Sequence, residues 1–108
     1  MGRLRYDNSH EVEIDDLLLA HLKLVIITKL RRQESFTLSW LHREEEPGGR
    51  STVWLHPSVP LHFVFDSPEP AQLSPAWLEK MAASSHTTGG IMLDRDQTTP
   101  PEDAAAAR

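Results

Sequence analysis

The side chains best equipped for chemistry in this chain are His56, His62 and Asp66, gathered around the stretch Leu55-His56-Pro57-Ser58-Val59-Pro60-Leu61-His62. Two imidazoles and a carboxylate are donors that a transition metal accepts, and groups that can exchange protons near neutral pH. Either use requires the chain to bring His56 and His62 together as cross-strand neighbours, with Asp66 close by. No His-x-x-x-His helical pair exists among the six histidines, and no nucleophile is marked by a motif. The spacing therefore favours polar side chains on a solvated sheet face, with no metal, cofactor or catalytic residue expected.

Trp54 offers a different chemistry. With His56 and His62 it forms a candidate binding face, on which an exposed indole could stack on a base or sugar or anchor a protein contact. Lys29, Arg31, Arg32 and Arg50 are the candidate phosphate contacts. Together with Trp54 they outline one possible function, a nucleic-acid-associated accessory protein. The formal net charge of −5 opposes that reading, because it provides no global attraction to a polyanion.

The elements that must position these residues follow from hydropathy patterning. Thr52 to His56 and Leu61 to Phe65 alternate, so Val53, Leu55, Leu61, Phe63 and Phe65 share an inward face, while Trp54, His56 and His62 point outward. The proline-bounded link between them reads as a hairpin-like connection. Upstream, Leu4 and Tyr6 alternate with Arg3 and Arg5, Asp7-Asn8-Ser9-His10 supplies a turn, and Val12 and Ile14 alternate with Glu11 and Glu13. This predicts a first hairpin with basic and acidic residues paired across its outer face.

Asp15 or Asp16 can cap a helix running to about Gln33. Leu19, Leu22, Ile26 and Leu30 form its core stripe, and Lys29, Arg31 and Arg32 complement the dipole in its last turn. A second stripe of Leu17, His21, Leu24, Val25 and Thr28 lies on roughly the opposite side and is mostly apolar. It is either covered by the rest of the chain or serves as an interface. The expected function is accordingly a small non-catalytic interaction domain that self-associates, or binds a protein partner, through this stripe.

Phe36, Leu38 and Trp40 alternate with hydroxyl residues as a third strand, and His42 to Arg50 forms a charged loop. Ser74 and Pro75 start a second helix with Leu78, Met81 and Ala82 inward and Trp77 at its margin, and Ile91-Met92-Leu93 is a last short strand. The order ββαβββαβ predicts an α+β two-layer sandwich with both helices on one face of a largely antiparallel sheet. Residues 1–94 form the single domain and 95–108 a disordered tail. The 39% hydrophobic content suffices for one core. The absence of cysteine suits a reducing cytoplasm, no apolar run reaches the roughly 20 residues of a membrane span, and no membrane association is expected.

Ile14-Asp15-Asp16 at the helix start, the block from Leu22 to Phe36, the block from Gly49 to Leu61, Trp77 and Gly89-Gly90 resemble a family of small actinobacterial proteins of unknown function. Members are often labelled ATP-dependent DNA ligase, and the resemblance covers nearly the whole chain. It implies no catalytic residues. The label itself implies a lysine nucleophile in a Lys-x-Asp-Gly motif, yet Lys23 precedes Leu24-Val25, Lys29 precedes Leu30-Arg31 and Lys80 precedes Met81-Ala82.

Overall fold

The computed structural model describes residues 1–101. Strands β1 (Gly2–Tyr6) and β2 (His10–Ile14) form the predicted hairpin, in which Arg3 lies opposite Glu13 and Arg5 opposite Glu11. The turn works because Asp7 and Asn8 both adopt positive φ, a conformation their short polar side chains tolerate. The helix α1 (Asp16–Arg31) follows, capped by the Asp15 carboxylate, which accepts from the Leu17 and Leu18 amides. Then come β3 (Phe36–Leu41), β4 (Arg50–Leu55), β5 (Leu61–Val64), α2 (Pro75–Ser85) and β6 (Ile91–Leu93). This is an α+β fold in the order ββαβββαβ.

The strands divide into two sheets of three instead of a single layer. One has the order β2-β1-β5 and is antiparallel throughout; the other has the order β4-β3-β6, with β6 parallel to β3. The expected hairpin between β4 and β5 does not form, because Pro57 and Pro60 remove two backbone donors from the link. A turn closed by the Val59 amide on the His56 carbonyl swings the chain from one sheet to the other. β5 pairs instead with β1, placing His62 opposite Arg5, so His56 and His62 are not cross-strand neighbours. Gly90 makes the parallel β6 pairing possible: its φ is positive, and a Cβ there would overlap the Thr37 backbone.

Both sheets and both helices contribute to one core of Leu4, Ile14, Leu19, Leu22, Ile26, Leu38, Leu55 and Trp77, all essentially inaccessible to solvent. Leu55 reaches it as predicted, whereas Val53, Leu61 and Phe63 are only partly buried and pack at its edge. Trp77, expected at a margin, is fully inside. Arg95, placed by the sequence in the tail, is also buried. Its guanidinium donates to the carbonyls of Glu13 and Leu41 and to the Glu46 carboxylate, joining both sheets and the β3–β4 loop. The ordered contacts therefore extend past residue 94, while residues 102–108 of the predicted tail lie outside the described residues.

Candidate interaction groove beside the first helix

α1 has two apolar flanks beside its core stripe, and the chain treats them differently. On one flank α2 packs against α1, started by Ser74, whose hydroxyl accepts from the Trp77 amide, and by Pro75 in the first turn. His21 lies under it, fully buried, with its ring 4.4 Å from the Trp77 ring. Its Nδ1 donates to the Leu17 carbonyl at 2.7 Å, and its Nε2 accepts from the Ser74 amide at 2.8 Å. This fixes a neutral tautomer with no nitrogen left for a ligand. Val25 is buried on the same flank. His21 and Val25, expected at an interface, are therefore core residues.

The other flank is roofed only by the irregular segment between β5 and α2. Pro68 and Pro70 deprive that segment of donors, so it cannot add to a sheet or continue as a helix. Its start is pinned by Asp16, whose carboxylate accepts from the amides of Asp66 and Ser67. Asp66 also pairs with the Met1 ammonium, which lowers the Asp66 pKa and raises that of the ammonium. Between segment and helix an apolar groove of about 650 Å³ remains open. Leu17, Ala20, Leu24 and Ile27 line the helix wall, and Phe65, Pro68, Pro70 and Leu73 the other. Leu24 is 41% and Leu73 39% exposed. Thr28 is exposed on the crest between the two flanks.

Charges of both signs stand at the groove. The Lys23 ammonium lies 5.6 Å from the Phe65 ring centroid, and Glu69 faces the same space; neither forms an ion pair among the described residues. Sequence periodicity finds Leu17 and Leu24 but misses Ala20, Ile27 and Leu73, and it assigns Phe65 to the inward face of a strand instead of to a groove. Ala20 and Ile27 follow the helical spacing of Leu17 and Leu24 and could have been read from it. Phe65 directly follows β5, and Leu73 belongs to an aperiodic segment that carries no such signal.

The other candidate residues are scattered. Trp54 is 53% exposed on the outer face of β4, opposite Thr37. His56 accepts from the Ser58 amide in the connecting turn, whereas His62 is exposed on the first sheet. Asp66 is engaged by the N-terminus, and the described residues contain no group of three His, Asp or Glu able to hold a metal. Among the basic residues, Arg31, Arg32 and Arg50 are exposed, but Lys29 is buried and paired with Glu34 at 2.7 Å, holding the Glu34 carboxyl below its ordinary pKa. Lys29 and Trp54 do border one shallow hollow, but the lysine charge there is already neutralised.

Over residues 1–96 the chain matches a domain of unknown function, DUF7882, and it belongs to that family. No curated protein and no solved structure matches it. Among the described residues, no helix is long and apolar enough to cross a membrane.

Proposed function

We propose that this domain is a non-catalytic interaction module that self-associates through the open flank of α1. The observation that carries the reading is the groove itself: a strip of apolar helix roofed by a proline-rich segment and left accessible at Leu24 and Leu73. A second copy is the favoured occupant because the rim is self-complementary. In a two-fold arrangement, Leu24 of each copy enters the groove of the other, and each Lys23 faces the other copy's Glu69. Sedimentation equilibrium tests this: the unaltered protein is expected to form a dimer and Leu24→Glu a folded monomer. Reversing both rim charges together, Lys23→Glu with Glu69→Lys, should leave dimerisation intact where either change alone weakens it. A monomeric unaltered protein at high micromolar concentration contradicts the proposal.

A further inference from the structure

Away from the helices the two sheets part, and a cleft of about 630 Å³ opens between β2 and β4. Val12, Trp40 and Val53 form its apolar depth, with Tyr6 beside them. Trp54 and Thr52 also border it. Because strand residues alternate, their side chains stand on the face opposite Trp40, Ser51 and Val53. What Thr52 and Trp54 present to the cleft is therefore the backbone edge of β4.

The direction of that edge follows from the ladder. The His42 amide donates to the Gly49 carbonyl at 2.9 Å, and the β3–β4 register continues from this pair. Bonded and non-bonded pairs alternate in an antiparallel ladder, so Ser51, Val53 and Leu55 bond β3, while Arg50, Thr52 and Trp54 turn their amides and carbonyls outward. The Tyr6 hydroxyl confirms this by donating to the Trp54 carbonyl at 3.0 Å. Among the described residues, the outward Thr52 amide and carbonyl and the Trp54 amide have no partner. The other edges are better protected. Arg95 donates to the Glu13 carbonyl of β2, β5 has four residues and β6 three, whereas β4 offers six residues without a proline or lysine.

We propose that the β4 edge captures an extended peptide of another protein as a fourth strand of the second sheet. Outward amides and carbonyls at strand spacing are recognised by another extended backbone. Side chains then alternate: one opposite Val53 enters the apolar depth, and its neighbours pack against the exposed Trp54 indole. Arg50, exposed and without an ion pair among the described residues, selects an acidic residue opposite it. This charge disfavours a second copy of the chain as occupant. Pairing β4 with itself about Val53 sets Arg50 opposite His56, which supplies no carboxylate.

Titrating the full chain with acetyl-STFTVES-amide, followed by amide NMR and hydrogen exchange, tests the proposal. The phenylalanine is designed to sit opposite Val53 and the glutamate opposite Arg50. The Thr52 and Trp54 amides should shift and exchange at least about tenfold more slowly in the complex, and N-methylation of the peptide's two threonines should weaken binding by about tenfold or more. Arg50→Glu should weaken binding, and a peptide with lysine in place of glutamate should recover it. The proposal is overturned if β4 amides do not respond to millimolar peptide, or if the N-methylated peptide binds equally well. It is also overturned if the peptide-free protein gains Thr52 and Trp54 protection as its own concentration rises, since the occupant is then a second copy.

Discussion

The two flanks of α1 are similarly apolar in sequence but end in opposite conditions. Under α2, a regular helix brings Trp77 onto His21 and supplies the Ser74 amide that satisfies the imidazole, so that the flank closes around a polar group. Across from it, a segment with two prolines is fixed mainly at its start by Asp16 and leaves a groove. An apolar stripe therefore does not by itself determine whether a surface is core or interface. The partner element decides, through its regularity and its capacity to satisfy the buried polar groups.

The largest effect that would sharpen this contrast is expected from Trp77→Ala, which removes the side chain that closes the sealed flank. It should cost about 3–5 kcal/mol in denaturant unfolding, whereas Leu24→Ala on the open flank should be nearly silent when unfolding is followed at protein concentrations too low for self-association. Similar losses at both positions would erase the distinction. His21→Leu probes the polar half of the seal. It preserves apolar bulk but leaves the Ser74 amide without an acceptor, and should destabilise by about 1–3 kcal/mol; unchanged stability would mean that this bond is dispensable.

A smaller effect is expected where Arg95 joins the two sheets, donating to Glu46 at 2.8 Å and holding its carboxyl down from 4.5 to about 2. The carboxylate is favoured in the folded state, so its contribution is complete above about pH 4.5 and is lost as pH falls toward 2. Thermal unfolding of the unaltered protein and of Glu46→Gln should thus converge as the solution is acidified through that window. Parallel curves would show that the pair does not couple to stability.

Much of the fold can be read from the chain because its signals are local. Asp15 and the Ser74-Pro75 pair mark helix starts, and the alternation of Leu4 with Tyr6 and of Val12 with Ile14 fixes the first hairpin. The division into two sheets is harder to see, since it depends on which strand accepts β5 once Pro57 and Pro60 have broken the local link. Arg95 stands between Asp94 and Asp96 in a polar stretch that reads as solvated, and only the tertiary arrangement of Glu13, Leu41 and Glu46 accounts for its burial. The groove is legible by half: helical period gives Leu17 and Leu24, whereas the opposite wall comes from irregular chain. His21 shows the converse, because periodicity places it beside Leu24 but cannot reveal that α2 will cover it.

Self-association brings the open flank of α1 against its counterpart in a second copy, and a cross-link between the two tests it directly. The chain has no cysteine, so Leu24→Cys introduces a unique thiol. A short bismaleimide cross-linker at micromolar protein should convert this variant largely to a covalent dimer. Met92→Cys, with its thiol at a still more accessible position on β6, should remain mostly uncoupled under the same conditions. Equal yields from the two variants, or no coupling through Leu24→Cys, would contradict self-association through the groove.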